Sequence, residues 1–369
     1  MATTNNHKFS PAKVLIVSKT TRYDMEKRLA GSQDDATMER ILRRRGTNAN
    51  RLSTKHHEHK AYLSHIEELL QSRSVETRVV ERFDYDDEAL QWADVVVAAG
   101  GDGTFLLAAS KIMTNEKPVI GINTDPSGSE GHMCLLRKAP MEQVDAAFDR
   151  LFKGDFEWLF RSRIRVSVTC DGGLGQSMQL HDTAMNREPR ERKTEQLPVL
   201  ALNEVFVGES LSSRVSYYLL SVDGEKFIKQ KSSGLTVCTG SGSTSWYFNI
   251  NKLTRQSVSE VLSLAAVAQG TCPPPPNSHF IDQICDQFNE RLTFEPSLHK
   301  MAFCVRDPIF NATFPPCDSR GFAQDITVLS RGYDTHLVID GGLSFPFNDG
   351  AEATLKVNES DALRTVVFR

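Results

Sequence analysis

Residues 100–104, with the sequence GGDGT, are the segment whose residue types and spacing best fit chemistry on a phosphate group. Gly101 and Gly103 permit positive φ angles and a close approach of ligand to backbone. Successive N–H groups at the start of a helix bind anions. Thr104 can cap that helix and offer its hydroxyl to a phosphate. The segment therefore predicts phosphoryl transfer, although Gly-Asp-Gly also suits a plain turn.

Asp102 is the unusual member of this segment. A carboxylate inside a phosphate site is repelled by its ligand unless it has a task. Two tasks fit: holding Mg²⁺, or accepting a proton from an attacking hydroxyl group. The chain contains neither a Walker A pattern nor a protein-kinase catalytic loop pattern. The residues of this segment alone leave the phosphate acceptor open.

A second polar cluster follows an apolar run at residues 234–238 and leads directly into the aromatic residues 246–248. A flexible loop tip seldom continues into such aromatics, so a packed binding turn is the preferred interpretation over a flexible loop. Its small hydroxyl residues and glycines are Thr239, Gly240, Ser241, Gly242, Ser243, Thr244 and Ser245.

Asn203 and Glu204 interrupt an otherwise apolar run at residues 202–207. Strict alternation along a strand predicts that one of the two faces inward. A buried polar side chain needs hydrogen-bond partners, and the ribose hydroxyls of a ligand would supply them. The alternative is a strand start at which both residues are solvated.

Three apolar runs and one alternating segment are the elements that must position the first cluster. Residues 76–83 alternate like a strand, and the apolar runs lie at residues 13–19, 93–99 and 118–123, with helical spacing between the last two. Such runs are typical of parallel strands that are buried on both faces. We therefore predict an α/β, Rossmann-like domain over residues 12–158, with the GGDGT segment at the carboxyl end of a strand, where ligands bind in open sheets.

After about residue 160 the pattern changes to short strands with little helix between them. The apolar runs around 166–168, 199–207, 215–222, 235–238 and 326–329 predict an all-β second domain over residues 159–369. Residues 253–270 are expected to be helical. Residues 171–196 are expected to form a polar loop or hairpin insertion, and residues 272–276 to form a stiff proline-rich connector.

Composition excludes several classes of protein. Of the 369 residues, 40% are hydrophobic and 24% are charged, so a substantial core is expected. A net charge of −4 gives no sign of a nucleic-acid partner or of an anionic membrane surface. No apolar run reaches the roughly 18 residues of a membrane-spanning helix. The seven cysteines form no CxxC pair, which favours a reducing compartment.

The N-terminal segment and a histidine-rich segment at residues 56–59 carry weaker signals. The first 23 residues contain basic but no acidic side chains, as in organelle transit segments, yet little removable sequence precedes the strand at 13–19. Residues 56–59, with the sequence HHEH, miss the usual zinc spacings. We interpret them as a solvated helix start, and we predict no protein-held metal site.

The three polar clusters, in this order, resemble those of the NAD kinase family. That family carries a GGDG motif, an Asn-Glu pair and a segment like TPTGSTAY, and residues 338–342 are similar to its late Asp-Gly element. Residues 18–23, 121–126, 129–132 and 347–350 resemble the metazoan mitochondrial branch in particular. The resemblance covers about residues 12–369. It implies an NAD kinase-like fold.

The resemblance also implies an activity and the residues that carry it. NAD kinases phosphorylate the 2′-hydroxyl of the adenosine ribose of NAD with ATP and Mg²⁺, and without a prosthetic group. By position, Asp102 matches the general base, and Gly101, Gly103 and Thr104 match the phosphate-binding turn. Asn123 matches an Asn beside that turn. Asn203 and Glu204 match the pair that holds NAD, and residues 239–245 match the segment that lines the NAD pocket.

The same resemblance implies a homodimer and a mitochondrial location, with the cytoplasm as the alternative. Three positions depart from the family pattern. Gly240 replaces a proline, Trp246 replaces a tyrosine, and Ser233 replaces an aspartate that contacts NAD in many members. Two other functions remain open: a lipid kinase of the diacylglycerol or sphingosine type, which shares the GGDGT turn, and an NAD-binding protein without catalysis.

Overall fold

The computed structural model describes residues 9–31, 34–138, 140–171, 178–179, 192–275 and 277–368. The chain forms two compact units, one of Met1–Phe160 with Leu363–Arg369 and the other of Arg161–Ala362. The sequence predicted that the second domain extends to residue 369. The structure differs there, because the last strand pairs within the sheet of the first unit.

The described residues form helices and strands that are numbered here in chain order. The helices are α1 Arg22–Leu29, α2 Asp35–Arg44, α3 Ala49–Gln71, α4 Asp87–Trp92, α5 Asp102–Ser110, α6 Glu142–Lys153, α7 Trp246–Asn251, α8 Arg255–Ala268 and α9 His279–Glu290. The strands are β1 Lys13–Ser18, β2 Glu76–Val80, β3 Val95–Ala99, β4 Val119–Ile122, β5 Glu157–Arg161, β6 Ile164–Asp171, β7 Met178–Gln179, β8 Arg192–Gln196, β9 Glu204–Glu209, β10 Ser216–Val222, β11 Ile228–Ser232, β12 Gly234–Cys238, β13 Met301–Arg306, β14 Arg320–Ala323, β15 Asp325–Ser330, β16 Thr335–Ile339, β17 Leu343–Pro346, β18 Glu352–Val357 and β19 Leu363–Val367.

The first unit is built on a sheet with the strand order β2-β1-β3-β4-β19-β5. The pairs β1–β2, β1–β3, β3–β4 and β4–β19 are parallel. All five residues of β3 are buried, as expected for a strand that is covered on both faces. This confirms the predicted α/β architecture. It also places the carboxyl ends of β1, β3 and β4 at one edge of the sheet.

Helix α3 packs against this sheet through Leu63, Ile66 and Leu70. The chain turns before this helix: Gly46 has a positive φ of 71°, and the side chain of Asn48 caps the helix. The interpretation of residues 56–59 as a solvated helix start is wrong. They lie in the interior of α3, and His59 is buried.

The second unit contains two antiparallel sheets, ordered β11-β10-β15-β18-β6-β8 and β14-β13-β12-β9-β16-β17-β7. Alternate apolar residues of both sheets meet in one core, which includes Val166, Val237 and Val328. The predicted β domain is therefore confirmed, although α7, α8 and α9 also belong to this unit. Helix α8 occupies most of the predicted helix at 253–270.

The predicted insertion at 171–196 lies largely outside the described residues. Within its described part, β7 pairs antiparallel with β17, and β8 pairs antiparallel with β6. The proline-rich segment has no regular secondary structure over residues 272–275. Within the described ranges, no helix combines the length and the apolar character that are needed to cross a bilayer.

Candidate functional site

The GGDGT segment connects β3 to α5. The helix begins at Asp102 with Gly101 as its N-cap, and no side chain caps it. The predicted capping role of Thr104 is therefore wrong, because Thr104 is the third residue of the helix and is buried. Its hydroxyl packs against the turn: a β-carbon built on Gly100 would lie 2.2 Å from Thr104 Oγ1. Only glycine fits at position 100.

Gly100 and Gly101 are required for space, and none of the three glycines of this turn is required for backbone conformation. Among Gly100, Gly101 and Gly103 none has a positive φ, so that part of the prediction is wrong. A β-carbon on Gly101 would lie 2.2 Å from Ser129 Oγ, whereas one on Gly103 would meet no protein atom within 4 Å. Gly103 is exposed, so its bare backbone leaves room for a ligand rather than for protein.

Asp102 is held by the backbone of the loop after β4. Its carboxylate oxygens accept hydrogen bonds from the N–H groups of His132 (3.0 Å) and Met133 (2.8 Å). The loop turns at Gly131, which has a φ of 62°. A carboxylate has about four lone-pair sites, so these two bonds fix its orientation and leave it able to accept a proton or bind a cation.

Asn123 supports the same loop. Its side-chain amide donates to the carbonyls of Ser129 (3.2 Å) and Arg137, and its oxygen accepts from the N–H of Asp125 (3.1 Å). The side chain is therefore engaged in shaping the loop that carries His132 toward Asp102. Direct contact of Asn123 with a substrate stays a prediction.

Asn203 and Glu204 are both buried, with exposed fractions of 6% and 8%. The expectation that only one faces inward is wrong, because β9 begins at Glu204 and alternation does not extend to Asn203. Asn203 Oδ1 and Glu204 Oε2 have no hydrogen-bond partner among the described residues. A buried acceptor without a donor costs about 1–3 kcal/mol. The pair is therefore suited to receive hydroxyl donors from a ligand.

Asp340 positions this pair, a role that the sequence did not reveal. It has a φ of 49°, and its carboxylate accepts from the N–H groups of Leu202 (2.9 Å), Asn203 (2.7 Å) and Glu204 (3.0 Å). The available signal was an Asp before two glycines at the end of an apolar run. Such an Asp tolerates the left-handed region and bonds to backbone N–H groups.

Burial is the main cause of the raised pKa values of Glu204 and Asp340. Burial, and then the charge of Asp340, raise the pKa of Glu204 to about 7. Burial also raises the pKa of Asp340 to about 6, although the three backbone donors oppose this rise. Glu204 is therefore a buried carboxyl whose charge changes near neutral pH.

The turn at residues 239–245 is packed, as predicted, and it lies against Asn203. Thr239 donates through its N–H to the Asn203 carbonyl (2.9 Å) and through its hydroxyl to the Leu202 carbonyl (2.5 Å). A β-carbon on Gly242 would lie 2.1 Å from the carbonyl oxygen of Asn203. The structure thus brings the second and third predicted clusters together.

Two further hydroxyl groups of this turn form hydrogen bonds within the protein. Ser243 Oγ donates to the Gly240 carbonyl (2.7 Å) and accepts from Phe294 N–H (3.1 Å). Ser241 Oγ accepts from Arg161 (3.1 Å). Thr244 is exposed and Ser245 is partly exposed, so their side chains are the accessible ones.

The structure explains one departure from the family pattern. A β-carbon on Gly240 would lie 2.2 Å from the carbonyl oxygen of Glu295 and 2.8 Å from Cα of Pro296. Both are backbone atoms, which cannot rotate away. The proline of the family pattern has no room at this position.

The other two departures lie close together in the second unit. Trp246 is 37% exposed and packs against Phe206 with 5.2 Å between ring centroids. The guanidinium of Arg306 lies 4.8 Å from the Trp246 ring. Ser233 donates its N–H to the Arg306 carbonyl (2.9 Å). At the position of the family's aspartate, this chain therefore has a serine next to an aromatic and cationic stack.

No group of three or more His, Cys, Asp or Glu residues suited to a metal ion occurs in the part of the chain that the structure describes. Asp102 remains the carboxylate closest in sequence to the predicted phosphate site. The geometry thus contains an oriented carboxylate beside an open glycine turn in the first unit, and a buried pair of unpartnered acceptors in the second.

Comparison with known proteins supplies the family. The family model described as the ATP-NAD kinase N-terminal domain matches residues 18–156. The mitochondrial NAD kinase 2 of Homo sapiens is 41% identical over 98% of this chain and 85% of its own length. That of Xenopus tropicalis is 40% identical over 98% of this chain and 91% of its own length.

Solved structures share the fold at low sequence identity. An NAD kinase from Archaeoglobus fulgidus, crystallised with ATP, has a TM-score of 0.54 and 19% identity over 97% of this chain and 93% of its own. A yeast NADH kinase in complex with NADH has a TM-score of 0.52 and 14% identity over 98% of this chain and 84% of its own. These likenesses confirm the predicted fold.

Proposed function

This chain belongs to the NAD kinase family, and from that premise we propose that it transfers the terminal phosphoryl group of ATP to NAD. The acceptor is the 2′-hydroxyl of the adenosine ribose, and the products are NADP and ADP. Family membership does not favour the two other candidates, a lipid kinase and an NAD-binding protein without catalysis.

The observation that carries the choice of acceptor is the pair of unpartnered buried atoms, Asn203 Oδ1 and Glu204 Oε2. Ribose hydroxyl groups are donors of the kind that such acceptors need. Asp340 fixes the backbone of both residues, so the acceptors are held in place before the ligand arrives. The accessible Thr244 and Ser245 of the neighbouring turn extend this surface for the rest of the dinucleotide.

Asp102 acts as the general base in the proposed mechanism. The ribose oxygen attacks the γ-phosphorus of ATP, the bond from that phosphorus to the β–γ bridging oxygen breaks, and the hydroxyl proton passes to Asp102. A positioned base of this kind contributes about 10²–10⁴-fold to the rate. The bonds from His132 and Met133 support this role because they hold the carboxylate in one orientation.

The glycine turn and the start of α5 bind the donor phosphates. Gly103 supports this assignment, since its exposed backbone faces no protein atom where a side chain would be. Gly101 packs against Ser129, and Thr104 packs against Gly100, so these two residues face protein atoms. Mg²⁺ would enter with ATP as part of the substrate and would offset the negative charge of the β- and γ-phosphates while the γ-phosphoryl group is transferred.

A direct assay tests the function. Purified protein is incubated with NAD, Mg²⁺ and either ATP or inorganic polyphosphate, and NADP is quantified with an NADP-specific dehydrogenase. We expect NADP with ATP. Absence of NADP with both donors, in protein that shows a cooperative thermal unfolding transition, would contradict the proposal.

Two further properties are proposed from the family resemblance. We propose a homodimer, and light scattering that shows only the monomer mass at micromolar concentration would refute it. We also propose that the protein works in mitochondria, because the similar vertebrate proteins carry that location in their names. Imaging of the tagged full-length chain tests this location, and an even cytoplasmic signal would contradict it.

A further inference from the structure

Two lysines share one carboxylate at the edge of the sheet that carries the glycine turn. Lys19 Nζ lies 3.0 Å from Asp125 Oδ2, and Lys55 Nζ lies 2.5 Å from Asp125 Oδ1. Lys55 also contacts the hydroxyl of Ser127. We call Lys19, Lys55 and Asp125 the lysine–aspartate cluster. None of the three belongs to the residues that the proposed function uses.

The cluster adjoins the glycine turn on both sides. Lys19 follows β1 directly, and its N–H donates to the Ala99 carbonyl (2.9 Å). A β-carbon built on Gly100 would lie 3.0 Å from Lys19 Cβ. On the other side, Ser129 packs against Gly101 and donates its N–H to the Asp125 carbonyl (2.9 Å). Ligands of open α/β sheets bind at this edge.

The charges of the cluster leave capacity for an anion. Two ammonium groups, each with three N–H donors, bond to one carboxylate. The next carboxylate, Glu58, is 4.0 Å from Lys55 Nζ, which is beyond hydrogen-bond distance. The Lys19 and Lys55 side chains are 31% and 26% exposed, whereas that of Asp125 is 15% exposed. A dissolved anion can therefore reach both lysines.

His59 links the two backbone segments that carry Lys19 and Asp125. Its ring nitrogens lie 3.0 Å from Ser18 Oγ and 2.8 Å from Thr124 Oγ1, and these two residues immediately precede Lys19 and Asp125. Burial lowers the pKa of His59 to about 4, so the ring is neutral at physiological pH. The ring orders the cluster without adding charge to it.

We propose that Lys19 and Lys55 form a binding site for a chain of phosphates, and that the phosphates of the donor replace Asp125 as the partner of the two lysines. The proposal rests on the proposed function for the identity of the donor. Ion pairs with partly exposed members contribute little to stability, so the exchange of partner costs little. Lysine ammonium groups are common ligands of phosphate.

Lysine footprinting of the wild-type protein tests the proposal without any substitution. The protein is acetylated briefly with acetic anhydride, alone or with Mg²⁺ and ATP or inorganic triphosphate, and modification is measured for each lysine by mass spectrometry. We expect protection of Lys19 and Lys55 but not of Lys60, a lysine of the same helix as Lys55 whose side chain is 41% exposed. Protection of neither by either compound overturns the proposal.

The two compounds distinguish the sources of phosphate. Protection by ATP alone supports a site for the donor nucleotide, and protection by inorganic triphosphate as well supports a site for any phosphate chain. The footprint is independent of NADP formation. Failure of the proposed function is read from the wild-type assay with NAD, and failure of this inference is read from the footprint.

Substitutions provide the kinetic test. In Lys19→Gln and Lys55→Gln we expect the KM for ATP to rise about tenfold each, since a lost charge-assisted bond has that size, while the KM for NAD stays within about twofold. Lys19→Arg should retain most of the affinity for ATP. Lys60→Gln is the matched control. An active double variant with an unchanged KM for ATP would overturn the inference.

Discussion

Asp340 and Glu204 are joined twice through the backbone of Glu204: Asp340 N–H donates to the Glu204 carbonyl (2.9 Å), and Glu204 N–H donates to the Asp340 carboxylate (3.0 Å). Glu204 is buried, and Asp340 lies in the left-handed region. The protein thus holds one carboxyl in place with another. Each residue has a consequence that can be measured separately.

Asp340→Asn isolates the carboxylate, because Asn tolerates the same left-handed conformation. The amide presents one oxygen to three backbone donors, so we expect a loss of about 1–3 kcal/mol of stability. We also expect the KM for NAD to rise more than the KM for ATP. Thermal unfolding and steady-state kinetics measure the two effects.

Asp223→Asn is the matched control for that variant. Asp223 also has a φ of 49°, and its carboxylate accepts from the N–H groups of Gln324 (2.7 Å) and Asp325 (2.9 Å). It lies after β10 and does not contact the Asn203–Glu204 pair. Similar changes in the KM for NAD in both variants would refute the positioning role of Asp340.

Glu204→Gln should stabilise the fold at pH 8 while weakening the binding of NAD. The pKa of Glu204 is about 7, above its ordinary value of 4.5, so the native state binds this proton more tightly than the unfolded chain does. The contribution of Glu204 to stability therefore falls as pH rises from about 4.5 through 7. Gln has no such dependence.

Thermal unfolding of Glu204→Gln and wild type at several pH values tests whether the contribution of Glu204 to stability falls as pH rises. The variant should be more stable by about 1–3 kcal/mol at pH 8, since one pKa unit corresponds to about 1.4 kcal/mol. The difference should shrink toward pH 5. A variant that is less stable than wild type at pH 8 would contradict the burial of an ionised Glu204.

Asp102→Asn should abolish turnover and preserve NAD binding. The amide oxygen can keep one of the two backbone bonds, because the N–H groups of His132 and Met133 donate to different oxygens of Asp102, but the amide cannot take up the hydroxyl proton. We expect a decrease in kcat of about 10²–10⁴-fold. Calorimetric titration with NAD measures the retained affinity, and near-normal turnover would exclude Asp102 as the base.

Gly103→Ala should separate folding from activity. A β-carbon at this position meets no protein atom within 4 Å, and alanine is favoured over glycine inside a helix by about 1 kcal/mol. The variant should therefore melt no lower than wild type, yet show a raised KM for ATP because the methyl group occupies ligand space. An unchanged KM for ATP would contradict the predicted phosphate site at α5.

Gly240→Ala should be strongly destabilised, because the new methyl group meets the backbone of Glu295 at 2.2 Å. Such overpacking costs about 1–3 kcal/mol or more. Gly342→Ala, where the nearest atom is 4.0 Å away, is the comparison variant. Equal melting temperatures for the two would show that the segment around Glu295 moves to make room.

The sequence alone determined four of the six strands of the first sheet, β1 to β4. Unbroken apolar runs such as residues 93–99 are typical of a covered parallel sheet. It also determined the position of Asp102 at the carboxyl end of a strand. The order of the three polar clusters along the chain was by itself enough to indicate the family. These are local properties, and they can be read residue by residue.

Only the tertiary structure decided which polar side chains have hydrogen-bond partners within the protein and which do not. Thr104 does not cap its helix, Asn123 shapes a loop, and the acceptors of Asn203 and Glu204 lack partners, since each outcome depends on residues far away in sequence. The last strand joins the first sheet beside β4, although the whole second unit lies between them in the chain, and Asp340 reaches Asn203 across 137 residues. Periodicity carries no information on such long-range contacts, because it describes only which face of an element is apolar.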